Sequence, residues 1–547
     1  MERLVQEDRE RRGREERVPS PDERPHVLAR EAAKVDVRAT DVVRDHLPRR
    51  DAEAQLERAL EGRSRQVAAN GEAVERPPSP AARGRECFQQ GLARESTEPQ
   101  VVRERLLGAR RAGQDGESGH QHDDEKTDEA RHVSVQGTPA PPWSGVGLPD
   151  VTTSIAISRE EHRARCDALR GRVAEQDITG VVLFDPFVVL YYAGFAFAPT
   201  ERPIALVLAA DGTRALVVPR LEVEHAEAKA ALDRVDHYDE YPGDPRAETV
   251  LEKTLTELGV TGRIGADQDG YPWILGYRGP TLSDLTGATV VRVADRIEEQ
   301  MAIKSEAEVA LIQESVRWGN LAHRLLQRYT RPGVTETEVS QRASSEATFA
   351  MLDAIGEIYQ AQSFFWSGAH AGYRGQIGRN SAIPHALAGN IVFREGDVLV
   401  TGASAPVWGY LSELERTMFV GEPSTEQESL FRHMKALQET AFDAIRPGAR
   451  CSDVDMAVRA YFAHHDLFAY WRHHTGHAIG LRYHEGPFLD SGDSTEIRPG
   501  MVFTVEPGLY SPEHGGFRHS DTVLVTEDGI EILTYYPRDL ESLVIPA

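Results

Sequence analysis

Residues 500–508 read Gly-Met-Val-Phe-Thr-Val-Glu-Pro-Gly, and this stretch decides the fold prediction. The apolar run at 501–505 lies between a glycine and a Glu-Pro-Gly turn, a pattern that predicts a short buried strand. The strand ends in Glu506, and a carboxylate at the end of an apolar strand is costly unless it is paired or functional. Glu506 is therefore the first candidate site residue.

A second cluster of carboxylates lies at residues 409–417, which read Gly-Tyr-Leu-Ser-Glu-Leu-Glu-Arg-Thr. Its acidic residues Glu413 and Glu415 are two positions apart. Side chains alternate between the faces of a strand, so a strand here would place both carboxylates on the same face.

Two further clusters supply histidines beside Gly-rich or Pro-rich turns. His385 follows Pro384 and stands eleven residues before Gly396. The segment at 473–485, His-His-Thr-Gly-His-Ala-Ile-Gly-Leu-Arg-Tyr-His-Glu, contains His477 and His484. A lone histidine beside a glycine turn carries little weight, but four such clusters in one half of the chain indicate an active site there.

Composition excludes several classes of protein. The chain has 547 residues, 87 acidic against 62 basic residues and a net charge of −25, which opposes binding to nucleic acid or to an anionic membrane surface. No apolar run approaches the roughly 18 residues that a membrane span needs. Three cysteines are too few for a disulfide framework. We predict a soluble cytoplasmic protein with no nucleic-acid or membrane partner, and its acidic, lysine-poor composition favours a halophilic source.

The chain divides into three predicted parts. Residues 1–150 hold only two aromatic residues, Phe88 and Trp143, and are rich in charge, so we predict a disordered extension there. A start assigned too far upstream is one explanation of this extension, and a genuine disordered tail is the other. Alternating helix and strand patterns then predict an α/β domain at 155–297. A second domain at 300–547 begins with a helix that Ser305 and Glu308 cap.

The motifs in the C-terminal half resemble the pita-bread superfamily of Xaa-Pro peptidases (aminopeptidase P, prolidase), methionine aminopeptidase and creatinase. The resemblance is carried by Gly-His-Ala-Ile-Gly at 476–480, His-Glu-Gly-Pro at 484–487, the stretch at 500–508 and Asp-Thr-Val-Leu-Val-Thr-Glu-Asp-Gly at 521–529. It implies an α/β (α+β) subunit, with a creatinase-like N-terminal domain before a pita-bread catalytic domain. It also implies a homodimer.

The resemblance implies a metal-ligand set that this chain only partly keeps. The superfamily's peptidases hold two ions with two Asp, one His and two Glu. The corresponding positions here are Gly402, Glu413, His477, Glu506 and Ser520. Glycine has no donor and serine is a poor substitute for a bridging carboxylate, so we predict no metal cofactor. The alternative is one divalent ion such as Mn, Co or Zn, held by Glu413, His477 and Glu506.

The same divergent positions resemble creatinase and ectoine hydrolase, the metal-free branch of the superfamily. This resemblance implies four catalytic residues: His385, Glu415, Glu506 and His477. We also predict that Arg416 and His484 bind the substrate. An amidinium carbon already carries positive charge, so carboxylates can hold it and a histidine can transfer the proton without a Lewis acid.

Three functions follow as hypotheses. The first is a metal-independent hydrolase of a C–N bond in a small amidine, guanidine or cyclic amide. The second is an Xaa-Pro aminopeptidase or dipeptidase with a single residual metal site. The third is an inactive pita-bread module that binds peptides or proteins. All but the third predict a small molecule or a dipeptide as the substrate.

Overall fold

The computed structural model describes residues 156–364 and 366–547. The predicted disordered extension at 1–150 lies outside the described residues. Apolar runs in the described part form buried strands, and amphipathic runs form the helices that cover them.

The first part of the described chain is a six-stranded sheet with helices around it. Its strands are β1 (Gly180–Leu183), β2 (Ala205–Ala209), β3 (Arg214–Pro219), β4 (Arg234–Tyr238), β5 (Arg263–Ala266) and β6 (Thr289–Arg292). Its helices are α1 (Arg159–Val173), α2 (Pro186–Ala193), α3 (Val223–Lys229), α4 (Ala247–Glu257) and α5 (Leu282–Thr286). The strand order is β4-β3-β2-β1-β5-β6, and every residue of the neighbouring strands β1 and β2 is buried. Continuous apolar runs are typical of such central strands.

Three helices connect this sheet to the second part: α6 (Ala294–Ala302), α7 (Glu306–Tyr329) and α8 (Glu336–Ile355). Helix α6 runs through the predicted domain boundary at 297–300. The predicted cap of α7 is present, since Ser305 Oγ accepts from the Glu308 amide and the Glu308 carboxylate accepts from the Ser305 amide. The interior of α7 is largely buried, including Trp318, so this helix packs as a core element.

The second part is built on a larger, antiparallel sheet. Its strands are β7 (His370–Gly372), β9 (Gly402–Ser404), β10 (Leu414–Glu415), β12 (Gly476–Ala478), β13 (Glu485–Leu489), β14 (Val502–Val505), β17 (Ser520–Val525) and β18 (Ile530–Ile532). Their order in the sheet is β13-β12-β14-β17-β10-β9-β7, and β18 pairs with β17. The remaining strands are β8 (Val398–Val400), β11 (Thr417–Val420), β15 (Gly508–Ser511), β16 (Gly515–Arg518) and β19 (Val544–Ile545), and the outer helices are α9 (Thr425–Ala444) and α10 (Cys451–His464).

Strand register brings the candidate residues together. The central strand β17 pairs with β14 through Val505 and Asp521, and with β10 through Glu415 and Ser520. On the far side of β14, Ala478 of β12 pairs with Phe503. The ends of β10, β12 and β14 therefore meet around the start of β17. In the described part of the chain, no helix is both long enough and apolar enough to cross a membrane.

Candidate active site

Three acidic or imidazole side chains converge at this meeting point. Ligand atoms of Glu413, His477 and Glu506 lie within 4.8 Å of one another, and all three residues are buried. Glu413 directly precedes β10, His477 lies in β12 and Glu506 directly follows β14. The sequence-based prediction that Glu506 ends a buried strand is confirmed.

His477 is oriented by the backbone. Its Nδ1 lies 3.0 Å from the Ala478 carbonyl oxygen, so the proton belongs on Nδ1 in the neutral ring. Its Nε2 then points a lone pair into the cluster, 3.1 Å from Glu506 Oε1. This Nε2 is buried, and Glu506 is its partner when the ring is protonated. Either a proton on Nε2 or a metal ion held between the two atoms would satisfy this arrangement.

The two carboxylates of the cluster have different environments. Burial, and then the charges of Glu506 and Glu415, raise the pKa of Glu413 to about 7. Burial alone would also raise the pKa of Glu506, but the neighbouring His477 holds that pKa well below its ordinary value. Burial likewise opposes protonation of His477, yet the Glu506 carboxylate raises the pKa of this imidazole to about 9. Negative charge is therefore concentrated at Glu506.

Glu413 is held by two hydroxyl groups. Ser520 Oγ donates to Glu413 Oε1 at 2.7 Å, so Ser520 orients this carboxylate. Thr522 Oγ1 accepts from the Glu413 amide at 2.8 Å and donates to its carbonyl oxygen at 2.9 Å. Outer hydrogen bonds of this kind fix the direction of a ligand. One imidazole and two carboxylates also form a chemically suitable set for one divalent ion with open positions. The cluster therefore fits a single ion.

Glu415 is buried beside the cluster, and two arginines balance its charge. Arg518 donates to both of its oxygens, Nε to Oε2 and Nη2 to Oε1, the latter at 2.9 Å. Arg374 Nη2 also donates to Glu415 Oε1. Two guanidinium groups thus occupy the carboxylate that the sequence analysis assigned to a cationic substrate.

Arg416 has a different environment from the one predicted for it. The side chain has no exposed surface, and its five N–H groups all donate to protein acceptors. These acceptors are Asp521 Oδ1 and the carbonyl oxygens of Glu415, Ser520, Tyr536 and Pro537. No donor of Arg416 is left for a substrate, so its contacts are those of a structural residue.

The predicted histidines outside the cluster lie at its open side. His484 is exposed at its edge, and its ring stacks on His477 with centroids 4.0 Å apart. Burial of part of the ring, and then the charge of His477, lower the pKa of His484 to about 4. His385 is exposed and close enough to interact electrostatically with His484. The fold thus places His385 beside the same opening.

A buried ion pair fixes the loop that carries His484. Glu485 Oε1 accepts from the amides of Leu481 and Arg482 at 2.8 and 3.0 Å, and Lys304 Nζ donates to Oε2 at 2.9 Å. Both charged side chains are almost fully buried. The Glu of the His-Glu pair is therefore an anchor for the loop.

Sequence reasoning missed two residues at this site, Arg374 and Tyr483. Arg374 follows β7 and pairs with Glu415, and no motif marks it. Tyr483 Oη lies 2.9 Å from His370 Nε2, and burial raises the pKa of this phenol well above its ordinary value. Charges on Glu413, Arg374 and Glu415 also act on Tyr483, so this tyrosine lies against the cluster. The sequence feature that could have identified Tyr483 is its position directly before His484.

Two family models match this chain. A model of the family described as "Metallopeptidase family M24" matches residues 310–527, and one described as "Creatinase/Prolidase N-terminal domain" matches residues 165–328. The chain is 30% identical over 403 residues to "Probable dipeptidase PepE" of Mycobacterium tuberculosis (strain ATCC 25618 / H37Rv), covering 72% of this chain and 99% of that protein. The chain belongs to metallopeptidase family M24. Its predicted pita-bread superfamily and its fold class are thereby confirmed.

Solved structures agree with membership of family M24. The Xaa-Pro dipeptidase from Bacillus anthracis is 26% identical with a TM-score of 0.59, covering 70% of this chain and 99% of that one. Dipeptidase PepE from Mycobacterium ulcerans is also 26% identical with a TM-score of 0.61, covering 72% and 100%. This M24 protein is therefore an enzyme, a hydrolase of the Xaa-Pro peptidase superfamily, as predicted.

Two predictions are corrected by these findings. Relatives of this M24 protein are named as peptidases, which favours the Xaa-Pro peptidase alternative over hydrolysis of an amidine or guanidine. The two arginines on Glu415 give the physical reason, because a cationic substrate would have to displace them. The family and the three-residue cluster also support a divalent metal, and they do not support the prediction of no cofactor.

Proposed function

We propose that this protein is a metal-dependent dipeptidase that hydrolyses Xaa-Pro dipeptides. The observation that carries this proposal is the convergence of one imidazole and two carboxylates, since ligand atoms of Glu413, His477 and Glu506 lie within 4.8 Å of one another. The names of the relatives, dipeptidase and Xaa-Pro dipeptidase, support the choice of substrate.

The residues that would hold the ion are Glu413, His477 and Glu506. A divalent ion such as Mn, Co or Zn supplies Lewis-acid polarisation of a carbonyl group and activation of water when it is bound. The chain itself does the orienting, since Ser520 fixes the carboxylate of Glu413 and the Ala478 carbonyl fixes the tautomer of His477. Ser520 would thus orient a metal-binding residue without binding the ion itself.

The open side of the site carries the proposed proton-transfer groups. His385 is exposed and lies within electrostatic range of His484, whose lowered pKa keeps it neutral near pH 7. We assign to His385 the transfer of a proton to the leaving nitrogen of the dipeptide, because a neutral amine leaves far more readily than an amide anion. His484 lines the substrate's entry, and Glu415 holds Arg518 and Arg374 in place.

Removal of the metal tests the proposal most directly. We expect dialysis against EDTA to abolish hydrolysis of Ala-Pro, and one equivalent of Mn²⁺, Co²⁺ or Zn²⁺ per chain to restore it. Elemental analysis measures the metal content per chain, and a metal titration monitored by activity measures the number of equivalents that restore hydrolysis. Full activity in EDTA, or turnover of creatine or ectoine in place of dipeptides, would contradict the proposal.

Replacement of His385 tests the proton-transfer role. We expect His385→Ala to lower kcat for Ala-Pro by about 10²-fold, the low end for general acid-base catalysis, since solvent reaches this exposed position. KM and metal content should stay unchanged. His464→Ala, which removes a histidine at the end of α10, is the matched control. Wild-type kcat in His385→Ala would remove His385 from the mechanism.

The predicted homodimer, cytoplasmic location and halophilic source stay predictions. Light scattering coupled to gel filtration measures the mass of the assembly, and activity from 0.1 to 3 M KCl tests salt adaptation. The excess of carboxylates supports the latter, because salt screens the self-repulsion of a chain with a net charge of −25.

A further inference from the structure

Arg374 stands at the open side of the site in an unusual backbone conformation. It is one of the few non-glycine residues with a positive φ, 52°. Its side chain is 49% exposed, whereas the Glu415 carboxylate to which it donates is almost fully buried. A residue held in the left-handed region beside an active site indicates a functional constraint on its position.

Gly402 provides the space that the guanidinium of Arg374 occupies. Strand β7 pairs with β9 so that Gly372 lies opposite Gly402, which brings Arg374 over the glycine. A Cβ at position 402 would lie 3.4 Å from Arg374 Cζ and 3.5 and 3.6 Å from its terminal nitrogens. The guanidinium therefore rests on the bare face of β9, and a longer side chain there would meet it.

The hydrogen bonds of Arg374 use only part of its guanidinium group. Nη2 donates to Glu415 and, at 3.2 Å, to Gln376 Oε1. Nε and Nη1 have no hydrogen-bond acceptor among the described residues. A half-exposed arginine with one nitrogen anchored and two nitrogens open is arranged to accept a carboxylate, which guanidinium binds through two parallel hydrogen bonds.

The other arginines of the site are not available for this task. Arg518 is buried, with Nε and Nη2 on Glu415 and Nη1 3.1 Å from Tyr510 Oη. Arg416 has all five of its donors engaged. Of Arg374, Arg416 and Arg518, Arg374 is therefore the arginine with capacity for an anionic ligand.

We propose that Arg374 binds the free carboxylate of the dipeptide and so restricts the enzyme to substrates whose C-terminus lies one residue beyond the scissile bond. The inference rests on the proposed dipeptidase function. Glu415 and Gln376 position the guanidinium, and the absence of a side chain at Gly402 keeps that position open. Arg374 is then a specificity-determining residue.

Comparing a dipeptide with its amide tests this role. Ala-Pro and Ala-Pro-NH₂ differ only in the carboxylate, and we expect the wild-type enzyme to favour the acid by about 10- to 100-fold in kcat/KM, chiefly through KM. Arg374→Ala should remove this preference by raising KM for the acid alone. Arg374→Lys should keep part of it, since charge remains without the planar fork. Arg342→Ala, which removes an arginine of similar exposure paired with Glu346, is the matched control.

Calorimetric binding of both ligands to the same variants separates this inference from the proposed function. If the wild-type enzyme cleaves neither compound, the dipeptidase proposal fails, and binding alone decides the role of Arg374. Loss of the preference for the acid in Arg374→Ala supports that role. Equal binding of acid and amide to the wild type, or a preference kept in Arg374→Ala, overturns it. Arg374→Gln, which retains a donor for Glu415, replaces the alanine variant if the latter does not fold.

Discussion

Glu506→Gln should lower kcat/KM for Ala-Pro by about 10³-fold or more and abolish tight binding of a divalent ion. The substitution keeps the size of the side chain but removes its charge. Glu506 carries the concentrated negative charge of the cluster, since His477 holds its pKa well below the ordinary value. The other oxygen of Glu506 lies 3.8 Å from Arg518 Nε, so the neutral amide would also weaken the attraction between residue 506 and Arg518.

Metal titration by calorimetry and steady-state kinetics measure the two effects of Glu506→Gln. Glu413→Gln should behave in the same way, because both carboxylates belong to one ligand set. Glu513→Gln, at a side chain that is 83% exposed, is the control and should match the wild type. If Glu506→Gln binds one ion with wild-type affinity, the proposed ligand set is wrong.

The fold was predictable because local signals agreed with the global arrangement. The all-buried strands β1, β2 and β14 are continuous apolar runs, and the cap of α7 is formed by the two residues that its spacing predicts. Such runs specify strands from neighbours in sequence alone. Strand order in the larger sheet depends on long-range pairing, so the meeting of β10, β12 and β14 came only from the resemblance.

Part of the predicted site is brought together by the fold. Glu413, His477 and Glu506 each lie in a local motif, and the structure brings their ligand atoms together. Arg374 lies 41 residues before Glu415, the carboxylate with which it pairs, and its position depends on the pairing of Gly372 with Gly402. Residue spacing in the sequence does not predict a pairing between strands so far apart in the chain, so it could not predict the position of Arg374.

Charge pairing explains why Glu415 and Arg416 have surroundings that the sequence did not predict. The glutamate and the arginine of a Leu-Glu-Arg-Thr run can each bind a substrate or form an ion pair within the protein. The sequence does not show which of the two occurs. In the structure Glu415 faces Arg518 and Arg374, whereas Arg416 faces the opposite way, toward Asp521. Alternation along the strand separates the two side chains. One therefore borders the site and the other lies in the core.

Asp521→Asn should destabilise the protein by about 3–5 kcal/mol, the usual cost of removing one partner from a buried ion pair. Neither Arg416 nor Asp521 has exposed side-chain surface, and their nitrogen and oxygen atoms lie 2.7 Å apart. Asp521 also accepts from Thr534 Oγ1 at 2.6 Å and from Gln438 Nε2 at 3.0 Å. The asparagine would leave the guanidinium of Arg416 buried without a counter-charge, and one of its own N–H groups would face a donor.

Urea unfolding in EDTA, followed by circular dichroism, measures this loss without a contribution from bound metal. Arg416→Lys should shift the midpoint in the same direction, because an ammonium group cannot serve five acceptors in a plane. Arg292→Gln, which breaks an exposed pair with Asp295, should leave the midpoint unchanged. KM for Ala-Pro in folded Arg416→Lys separates the two roles of this residue. An unchanged KM is expected of a core arginine, whereas a large rise in KM at wild-type stability would return Arg416 to the substrate site.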